Sequence, residues 1–272
     1  MFPRIREWGA AFAVDGSCRL QPSLWDKFRD RTANSLCDDG YFRFWDFDTW
    51  GELTSSTTLM DRFTLHTDTG NTIVQVTNES FGVLRLTTTT TDNNSIDAMA
   101  GGNVGVLSIT SGGTKHVALD FRARFTQITN TYNMFGGFTA SGSAADNGFF
   151  SDAGATADRG CFGYQVLEAD GDALEFTWKK AGQTAQITSG LKVIAAATWY
   201  RLGALFDPTE QNPALRVKLY IDDAIVVYLS DTQVAAATFP SAVLMGFGMS
   251  LKNQVNVGKS WDIDCAAIAM AA

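Results

Sequence analysis

The chain has 272 residues, of which 45% are hydrophobic and only 18% charged, and its formal net charge is −8. A chain this long buries roughly three quarters of its unfolded surface, so it needs neither disulfides nor metals to fold. The composition excludes disorder and a solvated helical bundle, and the acidic balance argues against nucleic acid or an anionic membrane as a partner. His66 and His116 are the sole histidines, too few for a multi-histidine metal centre.

Arg4, Arg6 and Glu7 interrupt the start of the chain before the run of about 7–15 apolar residues that a signal peptide needs. Nothing approaches the roughly 18 apolar residues of a membrane-spanning helix. Synthesis in the cytoplasm is expected, with Cys18, Cys37, Cys161 and Cys265 reduced. None of the four forms a CxxC pair, so no zinc site is expected.

Residues 1–40 read as an N-terminal arm. Pro22-Ser23 predicts a short helix over 23–34, with Ser23 as its cap and Leu24 and Phe28 on one face. Trp8, Phe12, Trp25 and Phe28 are large apolar groups for a tail, and they must dock on the domain or on a neighbouring subunit.

From residue 41 the period is two. Strands are predicted near 72–77, 83–89 and 104–109. Val117, Leu119, Phe121, Ala123 and Phe125 then alternate with His116, Ala118, Asp120, Arg122 and Arg124, the pattern of a strand with one buried face. Further strands are predicted at 133–139 and 161–167. Leu174, Phe176 and Trp178 alternate with polar neighbours, and Ala169-Asp170-Gly171-Asp172 reads as a hairpin turn before them. After a strand at 199–206, Leu215, Val217, Leu219 and Ile221 alternate with Arg216, Lys218, Tyr220 and Asp222, and Asp222-Asp223 leads into 224–229. Strands at 243–250 and 261–269 close the chain. Pro208, Pro213 and Pro240 fall in connections, where they cost no ladder hydrogen bond. The expected fold is all-β: a two-sheet antiparallel jelly-roll β-sandwich over 41–272 behind the arm. Segments 89–103 and 140–160 read as long surface loops of the kind that bind or pack in an assembly.

Trp199-Tyr200-Arg201-Leu202, Phe206-Asp207, and 215–223 through Tyr220-Ile221-Asp222-Asp223 resemble the back half of concanavalin A-like jelly rolls, the group of lectins, laminin-G-like domains and glucanases. Trp261-Asp262-Ile263-Asp264-Cys265-Ala266 is similar to the group's final inner strand and Phe44-Trp45-Asp46-Phe47-Asp48 to its first. Phe162-Gly163-Tyr164 and 174–178 are similar to its central hairpin. The resemblance covers about 41–272 and identifies a fold that hosts many functions. In its Thr/Ala/Gly-rich texture and aromatic arm the chain also resembles structural proteins of tailed bacteriophages, which implies a virion protein assembled in the host cytoplasm.

Glucanases of this fold place paired carboxylates on one strand face. The nearest match, Glu168-Ala169-Asp170-Gly171-Asp172, is broken by Gly171 and reads as a turn. Lyases of the fold use a Lys-x-x-x-Tyr or similar strand with a His or Gln as helper. Arg216-Val217-Lys218-Leu219-Tyr220 offers the polar strand without a histidine placed beside it, and reads as an outward sheet face. His66 and His116 read as surface residues. Asp146, Asp152 and Asp158 share one Gly-rich loop where calcium would bind, but their spacing matches no EF-hand, and no cofactor is expected. Phe149 and Phe150, with Tyr132 nearby, are aromatic residues in loops, suited to sugar stacking or to anchoring an interface.

Three functions remain. The first is a non-enzymatic virion protein of the capsid decoration or cement type, a homo-oligomer such as a trimer that contacts the major capsid protein through its arm and loops. Trp8, Phe12, Trp25, Phe28, Phe149 and Phe150 are its expected interface residues. The second is a glycan-binding module of a phage tail or cell surface, and the third a polysaccharide hydrolase or lyase.

Overall fold

The computed structural model describes residues 24–25, 41–45, 47, 63–76, 82–100, 105–126, 128, 132–145, 148–151, 158–167, 173–254 and 257–271. In chain order the strands are β1 (Tyr41–Trp45), β2 (Phe63–Thr67), β3 (Thr72–Gln75), β4 (Leu84–Thr87), β5 (Ser95–Ala100), β6 (His116–Phe125), β7 (Tyr132–Ala140) and β8 (Cys161–Val166). They continue as β9 (Ala173–Lys179), β10 (Gln186–Val193), β11 (Trp199–Phe206), β12 (Val217–Ile221), β13 (Ala224–Leu229), β14 (Met245–Asn253) and β15 (Ser260–Ala271). The first sheet has the order β13-β12-β11-β6-β15-β4-β3, with β1 also paired to β15, and the second has the order β10-β9-β8-β7-β14-β5-β2. All named pairings are antiparallel. The chain is therefore a jelly-roll β-sandwich.

The predicted alternation sets the core. Leu119, Phe121 and Ala123 of β6, Ile263, Ala266 and Ile268 of β15, and Leu202 and Ala204 of β11 all point between the sheets. From the second sheet Phe247 stacks on Trp45 at 5.7 Å and packs on Phe121 at 5.8 Å. Gly136 of β7 leaves room for these rings, since a Cβ there would lie 2.8 Å from Phe121 and 3.1 Å from Trp261. Tyr164 of β8 crosses the core and donates its hydroxyl to the carbonyls of Gly203 at 2.7 Å and Tyr220 at 2.9 Å, so it ties the second sheet to the β11–β12 ladder.

The Asp222-Asp223 turn is as expected. Both residues are left-handed (φ 51° and 66°), as the favoured two-residue hairpin turn demands. Several elements differ from expectation. Segment 89–103 contains β5, buried throughout, because Ile96, Ala98 and Ala100 face the core while Asp97 masks the alternation. Among the described residues of 104–109, Leu107 makes an isolated bridge to Met245. β2 and β10 were not expected. β10 is mostly exposed and interrupted at Gly190 (φ 67°), so it shows no hydrophobic period. A short helix, Asp231–Ala235, starts with a capping box between Ser230 and Gln233. Leu24 and Trp25 are helical, and the rest of the predicted 23–34 helix lies outside the described residues. The cysteine expectation is corrected: Cys265 is disulfide-bonded, with a partner outside the described residues, whereas Cys161 is a buried free thiol.

Tyr164→Phe deprives two core carbonyls of a donor and is expected to lower stability by about 1–2 kcal/mol. Urea unfolding should show a lower midpoint with an unchanged slope. An unchanged midpoint would contradict the assigned role.

Candidate functional site

A β-sandwich offers two outer sheet faces on which polar side chains can converge. On the second sheet the register aligns His66, Asp97, Ser250, Phe135, Gln165 and Glu175 in one row across five ladders. Asp97 is 1% exposed and accepts hydrogen bonds from Ser95 Oγ at 2.9 Å and Ser250 Oγ at 2.7 Å. Burial, only partly offset by these bonds, pushes its carboxyl up to about 6. Gln165 Nε2 donates to Glu175 Oε2 at 3.1 Å, and both residues are buried. His66 lies at the strand edge with Nε2 3.2 Å from Asp68 Oδ1. The row holds a histidine and two carboxylates, the residue types of acid–base chemistry.

The row is nevertheless covered by the chain itself. Gly137 and Gly163 face outward side by side, and Phe135 lies over them: a Cβ on Gly163 would meet Phe135 Cζ at 2.7 Å. Phe149 stacks on Phe135 at 3.8 Å with planes 22° apart, and Phe150 meets Phe149 edge-on at 4.7 Å. Phe149 and Phe150 were expected as surface anchors. Both are buried, in a cluster with Phe135 and Cys161, because an open glycine floor beside an aromatic ring is itself apolar surface that two more rings cover. The Phe150 carbonyl accepts from Lys252 Nζ at 3.3 Å, which brings this segment onto β14. Burial pushes the Cys161 thiol up to about 12.

The outer face of the first sheet is divided. One half is an alanine floor, Ala118, Ala267, Ala269 and Ala271, edged by Leu205 and Tyr220. Leu24 and Trp25 of the arm sit on it. Trp25 Nε1 donates to Asp120 Oδ2 at 2.9 Å, so this expected interface residue is packed against its own domain. The other half is a lattice of charges. Asp262, fully buried, accepts from Arg85 Nε at 2.6 Å and from Arg124 Nη2 at 2.6 Å. Arg122 Nη1 donates to Asp264 Oδ2 at 2.6 Å. The Arg122 and Arg124 guanidinium groups each lie 4.6 Å from the Trp199 ring centre, a cation–π arrangement. Arg201 Nε lies 3.5 Å from Asp120 Oδ1, and desolvation holds its guanidinium below the usual range.

At the far end of this face the structure supplies what the sequence reading did not place, a histidine near Lys218. His116 is 2% exposed, not a surface residue, and its Nε2 is 3.1 Å from Asp207 Oδ1. Lys218 Nζ lies 3.6 Å from Asp207 Oδ2 and donates to Glu210 at 2.8 Å. Tyr220 points instead into the Leu24–Trp25 cluster. The Lys218–Tyr220 pair is thus split between two neighbourhoods. The only available signal was Phe206-Asp207, a carboxylate directly after a strand.

Trp8, Phe12 and Phe28, the Glu168–Asp172 turn, Asp146, Asp152 and the Tyr132 side chain lie outside the described residues. Asp158 accepts the Gly182 amide proton at 2.6 Å and is 3.5 Å from Lys179, and the amide bond holds its carboxyl below the usual range. Among the described residues no cluster of His, Cys, Asp and Glu is arranged to hold a metal ion, and no helix is long and apolar enough to cross a membrane.

No protein-family model matches the chain, and no curated protein matches it. Solved structures do. A Shewanella oneidensis MR-1 protein of unknown function is 16% identical, with 95% of this chain and 97% of that one covered and a TM-score of 0.52. Peanut lectin, solved with a nine-residue peptide, is 10% identical over 86% of this chain and 98% of its own, with a TM-score of 0.54. LamA from Zobellia galactanivorans, solved with laminaritriose and laminaritetraose, is 11% identical over 85% and 99%, with a TM-score of 0.50. At these identities the likeness establishes the fold, a concanavalin A-like jelly roll.

Asp97 yields a pH prediction. Its folded value, about 6, lies above its ordinary 3.8, so the folded state holds the proton to higher pH. Stability should therefore fall as pH rises through that window, by on the order of 3 kcal/mol, and level off above it. Asp97→Asn removes this fall. Urea unfolding midpoints of the two proteins on either side of the window check it; equal pH dependence would contradict the assignment.

Proposed function

We propose that this chain is a non-enzymatic structural protein of a virus particle, of the capsid decoration type, with the major shell protein and copies of itself as its partners. The observation that carries the proposal is that the chain's own side chains cover much of both sheet faces. Phe149 and Phe150 pack over Phe135 on the second sheet, where Asp97, Gln165 and Glu175 of the same row are also buried, and Leu24 and Trp25 occupy the apolar half of the first. Asp120, Asp262 and Asp264 are held by Arg201, by Arg85 and Arg124, and by Arg122 respectively, and Asp97 is held by two serine hydroxyls. Such groups serve packing and rigidity. A hydrolase or a saccharide site needs its carboxylates and aromatic rings turned toward a ligand.

The disulfide at Cys265 also supports this reading, because disulfides persist on virion surfaces and in other oxidising surroundings. Assembly in a host cytoplasm, followed by oxidation on release, accommodates it. A glycan-binding role has the likeness to peanut lectin in its favour, but the aromatic pair expected to stack on sugar faces inward.

The copy number of the chain in purified particles from its source, measured by quantitative mass spectrometry, tests the proposal. Hundreds of copies, comparable to the major shell protein, are expected. A dozen or fewer would place the chain at a tail or vertex, against the decoration role, and its absence would overturn the virion reading.

A further inference from the structure

Among the described residues, five of the seven large exposed apolar side chains lie on two strands at one lateral edge of the sandwich, the other two being Leu244 and Val257. β13 is the edge strand of the first sheet and β10 that of the second. Ile225, Val226 and Tyr228 on β13 are 37–41% exposed, and Ile187 and Val193 on β10 are 46% and 69% exposed. The two strands lie on the same side of the molecule, since Tyr164 ties β8, two strands in from β10, to β11 and β12, the strands next inward from β13. β13, with the sequence AIVVYL, carries no charge along its length. Edge strands are normally protected by charge, so an uncharged apolar edge marks a contact surface.

The occupant follows from direction and charge. The short turn 194–198 leads from the end of β10 into the start of β11. β11, β12 and β13 alternate in direction, so β10 and β13 run oppositely. The Asp222-Asp223 turn at the start of β13 lies beside the start of β11, where the Asp222 amide donates to the Arg201 carbonyl at 2.9 Å. Lys192 and Val193, at the end of β10, are at that same end. A two-fold axis parallel to the strands therefore brings β13 of one copy against β10 of another, antiparallel and at the same height. Exposed Lys192 then meets Asp222 and Asp223 of the second copy, and the apolar residues of the two strands face each other. Irregularities in both edge ladders, at 219–220 against 225–227 and at 188–192, keep the seam from becoming one continuous ladder, so side chains make it.

We propose that this edge is a homodimer interface, with β13 seated on β10 of a second copy and Lys192 paired with Asp222 and Asp223 across the seam. This two-fold arrangement differs from the trimer suggested by sequence, and it does not rest on the virion reading: a chain missing from particles would leave it standing.

Sedimentation equilibrium of the full chain at micromolar concentration tests it. The expected mass is twice 29.5 kDa. Ile225→Glu with Tyr228→Glu should give monomer, and both sites are exposed, so the circular dichroism spectrum should not change. Lys192→Glu places like charges together and should weaken association by roughly tenfold or more. Adding Asp222→Asn and Asp223→Asn should restore it, since asparagine tolerates the left-handed turn. A monomeric wild-type chain, a trimer, a dimer indifferent to the Glu substitutions, or a failure of the Asn pair to rescue Lys192→Glu would each overturn the proposal.

Discussion

On the outer face of the first sheet, buried aspartates must each be met by a cation or a hydrogen-bond donor. Asp262 has no exposed surface, and an unpartnered carboxylate there would cost several kcal/mol. β4 and β6 flank β15 and aim Arg85 and Arg124 at it from both sides. The arginine stems and Trp199 then roof this half of the sheet, and Arg201 stands beside Asp120. On the other half alanines leave a shallow floor, which Leu24 and Trp25 fill while the indole N–H satisfies the remaining oxygen of Asp120. The arm and the charge lattice thus meet at one carboxylate.

The second sheet solves the same problem with rings. Outward glycines at 137 and 163 let Phe135 lie flat, and Phe149 and Phe150 continue the stack over β7 and β8. In the same sheet the buried Asp97 has two serine hydroxyls as its hydrogen-bond partners and takes a raised ionisation point. With the faces occupied in this way, the edge formed by β10 and the uncharged β13 still leaves Ile187, Val193, Ile225, Val226 and Tyr228 exposed to another molecule.

The long strands were legible in the sequence because their alternation survives. β6, β11, β12 and β15 each bury one face in the core, and on β6 and β12 polar residues alternate with it. The Asp222-Asp223 turn was legible because its chemistry is local. β5 and β10 were not. Asp97 sits on a strand buried on both faces, which erases the alternation, and β10 is an exposed edge broken at Gly190. The aromatic pair at 149–150 was read as an interface anchor in a loop, but the structure packs it on Phe135, which lies over Gly137 and Gly163, a floor that only strand pairing assembles. His116 and Lys218 lie about a hundred residues apart and meet through Asp207, a convergence that no spacing rule reveals.

The chain closes much of its own sheet faces with its own side chains. Hydroxyl-radical footprinting of the folded chain, read residue by residue by mass spectrometry against the unfolded chain, tests it most directly. Trp25, Phe149, Phe150 and Tyr220 should be strongly protected, while Lys180 and Leu244 should react as in the unfolded chain. Unfolded-like oxidation of Trp25 or of the Phe149–Phe150 pair in the folded protein would contradict the account and reopen the corresponding face as a binding surface.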